Sequence, residues 1–173
     1  MTPTQKPEED NRKDALTQLL NREGGFRVLE EAIGASPDRS CGVLILDIDN
    51  FQAFNAQYGY RAGDLALVEL ASWLAEALGS DGELARLGGE EFLALLPDAT
   101  PDVACAFAER VCERVRNEPF ELPEVGWIRV TTSIGVACAP GHGATAETVV
   151  RAADRATYES KRNGSNRWTL ATY

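Results

Sequence analysis

A chain of 173 residues with 44% hydrophobic and 25% charged residues has the composition of one globular domain, which argues against a disordered or fibrous protein. The formal net charge of −10 argues against a nucleic-acid polymer as partner, because phosphate backbones are held by clustered Lys and Arg; a single nucleotide bound through a divalent ion stays compatible with an acidic site. The apolar run Val43–Leu46 is far shorter than the roughly 20 residues of a membrane helix and no charged-apolar-small leader opens the chain, so a soluble, cytoplasmic domain without membrane contact is expected.

Residues 1–12 are polar, with two prolines and a Glu-Glu-Asp run, and read as a disordered lead-in or linker, leaving 13–173 as the folded domain. From Asp14 to Ile33 apolar residues recur at helical spacing, with a break expected at Gly24-Gly25. Val43–Leu46 followed by Asp47-Ile48-Asp49 predicts a strand buried on both faces with acids at its carboxyl end, where open α/β sheets favour ligand sites. Leu67, Val68, Ala71, Leu74, Ala75 and Leu78 form one face of a helix expected to begin after Gly63-Asp64 and to end at Gly79.

Two short apolar segments, Glu83–Leu87 and Phe92–Leu96, flank Gly88-Gly89-Glu90-Glu91 and predict a β-hairpin whose turn presents two carboxylates. A helix follows from Pro101, with Val103, Phe107, Val111 and Val115 four residues apart. Trp127–Ala137 reads as a strand, Thr145–Arg162 as a third helix and Arg167–Ala171 as a closing strand. The order predicts an α/β sandwich: a mixed sheet with helices on its flanks. Cys41, Cys105, Cys112 and Cys138 form no C-x-x-C pair and His142 is the single histidine, so reduced, packed thiols are expected rather than a zinc site.

Chemistry centres on Asp47 with Asp49 at the strand end and Glu90 with Glu91 on the hairpin. Side chains two apart on a strand share a face, and a neighbouring hairpin would bring Glu90 beside Asp47 and Asp49. Converged carboxylates call for a cation between them, and Mg²⁺ takes one or two carboxylates plus phosphate oxygens and water. The competing reading, solvated acids at a strand end and in a turn, is of equal weight on spacing alone.

Gly88-Gly89-Glu90-Glu91-Phe92, led by Ala85-Arg86-Leu87, resembles the signature of the GGDEF family of diguanylate cyclases in its glutamate form. The resemblance extends through Asp14-x-Leu16-Thr17 with Leu19 and Asn21-Arg22, Asp47-Ile48-Asp49-Asn50-Phe51, Asn55, Tyr58-Gly59 and Gly63-Asp64. It continues through Thr132–Val136, Ala153-Asp154 with Ala156 and Tyr158, and Lys161 followed by Gly164, Asn166 and Arg167, so it spans about residues 14–170. It implies a nucleotide-cyclase or polymerase-palm-like fold with a mixed, mainly antiparallel central sheet flanked by helices.

Carried over by position, the resemblance implies that the Asp47 side chain, the Ile48 carbonyl and the Glu90 side chain hold two Mg²⁺ or Mn²⁺ ions per active site. Glu91 is implied as a second metal contact or proton acceptor, and Phe51, Asn55, Asp64 and Lys161 as contacts to GTP. An Asp facing N1–H and N2–H₂ of guanine discriminates against adenine, which lacks that donor pair; helix N-cap is the other reading of Asp64, and a helix-dipole partner that of Lys161. Two GTP would condense to cyclic di-GMP and two pyrophosphates across a homodimer, under an upstream sensory or regulatory domain outside this chain. The chain departs from the family pattern at Gln52 and Ser165, where Lys and Arg are usual, and at Ala56 and Tyr60, where Asp and His are common. Gly79 and Gly82 stand where an inhibitory product site would place R-x-x-D. These departures keep two alternatives open: a weak domain that binds GTP as a regulatory module, and a dimerisation domain without nucleotide chemistry.

Overall fold

The computed structural model describes residues 11–173. Most of the expected lead-in therefore lies outside the described residues, while the carbonyls of Asn11 and Arg12 accept from Asn21 Nδ2 and Asn21 N, both at 2.7 Å. In chain order the elements are α1 (Arg22–Ala35), β1 (Cys41–Ile48), α2 (Phe51–Tyr58), α3 (Tyr60–Leu78), β2 (Glu83–Gly88), β3 (Glu91–Pro97) and α4 (Pro101–Asn117). They continue with β4 (Phe120–Leu122), β5 (Gly126–Ile128), β6 (Thr132–Ala139), α5 (Ala146–Arg162) and β7 (Arg167–Leu170).

The central sheet has the order β2-β3-β1-β6-β7. All contacts are antiparallel except β6 with β7, which pair in parallel across the α5 connection. This is the mixed, mainly antiparallel sheet that the resemblance implies. As the apolar run predicts, β1 is buried at every position. Alternation along it feeds two cores: Leu44, Leu46 and Ile48 pack under α2, α3 and α4, and Val43 and Ile45 pack under α1 and α5. The sheet is thus the middle of a three-layer sandwich, and its strand ends carry the site.

Local sequence explains most helix limits. Thr100 caps α4 by accepting from Val103 N, with Pro101 in the first turn, and Thr145 and Thr148 form a reciprocal capping box at α5. The α5 helix lies directly on the β6 backbone, since a Cβ at Gly135 would stand 1.9 Å from the Ala153 carbonyl oxygen. Two hydroxyls then pin it: Thr157 Oγ1 donates to the Ile45 carbonyl at 3.1 Å, and Ser160 Oγ to the Ile134 carbonyl at 2.9 Å.

Three expectations are corrected. Gly24-Gly25 do not break a helix but lie inside α1, whose N-cap Asn21 accepts from Gly24 N; their missing side chains let α1 approach β2, where a Cβ at Gly25 would meet Ala85 Cβ at 2.5 Å. The helix expected after Gly63-Asp64 begins at Tyr60, so Asp64 is interior to α3 and not its N-cap, and a separate helix, α2, precedes it. Trp127–Ala137 is not one strand: β5 ends at Ile128 and pairs with β4, and β6 begins at Thr132. That small hairpin is held by Phe120, which is buried edge-on against Trp73 of α3 at 4.6 Å between ring centroids.

Candidate active site at the carboxyl end of the central strand

Where β1 ends, the chain turns through Asn50 in the left-handed conformation at φ 54° and enters α2. A cavity of about 580 Å³ opens at this turn. Asp47, Ile48, Phe51, Gln52, Glu90, Lys161 and Ser165 are among its lining residues. Five of the expected site residues, Asp47, Ile48, Phe51, Glu90 and Lys161, therefore meet in one place. Three others do not line the cavity. Glu91 lies opposite Asp47 in the β1–β3 register, half-buried on the α5 side, and Asn55 and Asp64 sit at the α2–α3 junction. Asn55 rests on Gly63, where a Cβ would stand 1.9 Å from Asn55 Oδ1, so the missing side chain is what lets Asn55 lie against α3.

Asp47 is the electrostatic centre. Its Oδ2 accepts from Lys161 Nζ at 2.9 Å, while its Oδ1 is buried without a hydrogen-bond partner. Burial pushes its carboxyl above the usual carboxylate range, Lys161 opposes that shift, and the nearby Glu90 and Asp49 add to it. Burial alone would lower the Lys161 pKa, but the contact with Asp47 outweighs it, and the ammonium is held charged. Glu91 is also pushed up, first by burial and then by Asp154 and Asp47. The pocket thus holds more negative charge than one lysine neutralises.

Asp49 behaves differently from its neighbour. Spacing groups it with Asp47 as a second acid for a cation, yet its oxygens are already taken by Thr131 Oγ1 at 2.6 Å, Ser133 Oγ at 2.6 Å and Asn166 N at 2.9 Å. It ties loops together instead. The sequence signal lay in the hydroxyls of Thr131 and Ser133, which a reading centred on acids passes over.

Among the described residues no three His, Cys, Asp or Glu side chains stand together in a way that would enclose a metal ion alone. The donor set nevertheless fits Mg²⁺ or Mn²⁺. An orphaned, buried carboxylate oxygen on Asp47, the adjacent Glu90 and the strand-end Ile48 supply a partial oxygen shell, as Mg²⁺ uses when phosphates and water complete it. Among the described residues, Lys161 is the sole basic one in the cavity lining. Arg162 and Arg167, close by in sequence, do not line the cavity: Arg162 Nη1 contacts Glu159 at 3.4 Å and Arg167 Nε donates to the Ser165 carbonyl at 3.2 Å.

The four thiols are free; Cys41, Cys112 and Cys138 are buried, and burial pushes the Cys112 pKa up to about 12, which leaves it inert. Gly79, at φ 61°, and Gly82 border a shallow groove with Leu19, Leu20 and Leu78. A Cβ at Gly82 would stand 2.2 Å from the Leu95 carbonyl oxygen.

Fold and cavity define a mixed-sheet α/β domain with an acidic centre at the end of its middle strand. The family model described as "Diguanylate cyclase, GGDEF domain" matches residues 11–167, and the chain belongs to that family. It is 37% identical over 155 residues to the bifunctional diguanylate cyclase/cyclic di-GMP phosphodiesterase MucR of Pseudomonas aeruginosa, covering 88% of this chain and 22% of that protein. It is 36% identical over 163 residues to diguanylate cyclase A of Treponema denticola, covering 91% of this chain and 44% of that one. The chain thus spans less than half the length of these two relatives. The crystal structure of the GGDEF domain of DgcB from Caulobacter crescentus in complex with c-di-GMP superposes with a TM-score of 0.88 at 29% identity, over 100% of both chains.

Proposed function

We propose that this chain is a diguanylate cyclase domain that condenses two GTP into cyclic di-GMP and two pyrophosphates. The observation that carries the reading is Asp47, which lines the cavity with Glu90 and Lys161 and whose Oδ1 is buried without a hydrogen-bond partner. Leaving such an atom unsatisfied is costly, and a divalent cation brought in by a triphosphate would satisfy it. Asp47, the Ile48 carbonyl and Glu90 would hold the cations. Bound there, the cations supply charge neutralisation at the phosphates and lower the pKa of the attacking hydroxyl.

The chain's own residues do the rest. Lys161, which lines the same cavity, would contact the phosphates, and Asn55 and Asp64 would read the guanine edge. The 3′-hydroxyl of the GTP held by one domain gives its proton to Glu91 or to water as its oxygen forms a bond to the α-phosphorus of the other GTP, the bond to the β-phosphate oxygen breaks, and pyrophosphate leaves. The same exchange in the opposite direction closes the ring. Two domains must therefore face each other, each carrying one GTP. Glu90 is the acid of the signature that meets the cavity; Glu91, outside its lining and opposite Asp47 in the β1–β3 register, would make a second metal contact or accept the proton. The greater length of the relatives supports an input domain that sets how two such domains meet.

A second reading is favoured by a specific observation: Gln52 and Ser165 line the cavity where basic residues are usual, leaving Lys161 as its single cation. On that reading the domain binds GTP and turns it over slowly, as a regulatory module. Incubation of concentrated protein with GTP and Mg²⁺, followed by chromatography of the nucleotides, separates the two. Cyclic di-GMP with pyrophosphate is the expected product, formed at a rate rising faster than linearly with protein concentration. Bound but unchanged GTP would replace the cyclase reading with the regulatory one.

A further inference from the structure

The loop that joins α5 to β7 is built in an expensive conformation. Gly164, Ser165 and Asn166 follow one another with φ of 111°, 62° and 52°, and the latter two are not glycine. Residues other than Gly avoid this region, Asn less than most, so a run that includes Ser165 persists only where surrounding contacts hold it. Ser165 lines the cavity, and Lys161 lies one helical turn earlier, so this loop is the edge of the proposed phosphate site.

Contacts from two directions fix it. The Asn166 N–H donates to Asp49 Oδ2 at 2.9 Å, and the same carboxylate is oriented by Thr131 Oγ1 and Ser133 Oγ, each at 2.6 Å. From the opposite side, Arg116 at the end of α4 grips Asn166 twice, with Nε donating to Oδ1 at 3.0 Å and Nη2 donating to the carbonyl at 3.2 Å. Arg129 in turn donates to the Arg116 carbonyl at 3.3 Å. Asn166 is therefore held at three of its polar atoms by groups from β1's end and from α4, and Arg116 does not line the cavity.

We propose that Arg116 is a positioning residue for the nucleotide site: its guanidinium fork holds Asn166 in the left-handed conformation against Asp49 and so fixes Ser165 and the end of α5 where the triphosphate lies. The inference rests on the cyclase reading for its substrate, and on the hydrogen bonds alone for the clamp. With the family's usual loop cation replaced by Ser165, preorganisation of this edge carries more of the binding.

The test uses Arg116→Ala, Arg116→Lys and Asn166→Gly, the last of which tolerates φ 52° while deleting Oδ1. Deuterium exchange of the 163–167 amides, measured without nucleotide, is expected to accelerate about tenfold in Arg116→Ala and Asn166→Gly, with the melting temperature little changed. The KM for GTP is expected to rise about five- to tenfold with kcat within about twofold of the parent, the pattern of lost uniform binding. Arg116→Lys keeps the charge but not the fork and is expected to stay defective. Unchanged exchange, an unchanged KM, or full rescue by lysine would each overturn the proposal. A parent chain that neither binds nor converts GTP would overturn the cyclase reading and this inference with it; a fully active parent matched by its variants overturns the inference alone.

Discussion

The floor and the rim of the site are built by different means. The floor, Asp47 with Lys161, stands on the central strand and on a helix pinned to it by Thr157 and Ser160, so sheet register fixes it. The proposed rim, Asn55 with Asp64, stands on two helices that meet where Asn55 packs on the bare backbone of Gly63. Register is a property of many hydrogen bonds, whereas the helix contact turns on one missing methyl group. The floor should therefore lose chemistry before it loses shape, and the rim should lose recognition at small cost in stability.

The sharpest way to test the floor is to remove charge without volume. Glu90→Gln and Asp47→Asn are expected to lower cyclic di-GMP formation by at least about a hundredfold, since each removes a carboxylate from the proposed cation shell. Their melting temperatures should stay within a few degrees of the parent. A Glu90→Gln variant of undiminished activity would falsify the mechanism.

Moving the whole floor is the next largest effect. Gly135→Ala drives a Cβ into the Ala153 carbonyl and should cost about 1–3 kcal/mol in urea unfolding, as overpacking commonly does. A stability equal to the parent would show that α5 can lift from β6, and would take the register argument with it.

At the rim, Gly63→Ala must push Asn55 aside. GTP affinity is expected to fall about tenfold, which corresponds to about 1.4 kcal/mol, while ATP binding, if measurable, is unaffected. Equal loss for both nucleotides would mean that the rim sets the pocket's shape and does not read the base.

The smallest effect lies away from both. Arg86 Nη1 lies 3.2 Å from Asp14 Oδ1, and Arg86 also donates to the Gly89 carbonyl beside the signature acids. Burial would raise the Asp14 pKa, but the N–H and hydroxyl of Thr17 together with Arg86 outweigh it and hold the carboxyl below its usual range. A depressed carboxylate adds stability above its unfolded pKa of about 3.9 and loses it as pH falls through the lower folded value. Urea midpoints should therefore fall less between pH 5 and pH 3 in Asp14→Asn than in the parent. Parallel curves would show that the ion pair adds nothing to acid stability.

The same contrast accounts for what was legible in the sequence. The Val43–Leu46 run with its terminal acids, and the glycines between Leu87 and Glu90, are short-range patterns, and β1 and the β2–β3 hairpin follow them directly. The split of α2 from α3 was also written locally, in Phe51, Phe54 and Tyr58 at helical spacing, but Gly63-Asp64 gave a stronger start signal and masked it. The β4–β5 hairpin was hidden for a different reason. Residues 127–137 are uniformly rich in strand formers, and what interrupts them is the seat of Phe120 on Trp73, a contact across 47 positions that no local pattern reports. For Asp49 the residue type was legible but its partners were not, because the donors come from β6, its approach and the loop after α5.

Gly82 sets a geometric limit on what the turn before β2 can carry. With the backbone where it lies, any side chain at 82 meets the Leu95 carbonyl, and Gly79 holds a left-handed turn that an arginine would strain. An acid and a base at these two places are thus not two point mutations away: the approach to β2 would have to be rebuilt first. Positions 79 and 82 are thus held by packing first, and a side chain placed at either changes the approach to β2 before it changes any chemistry.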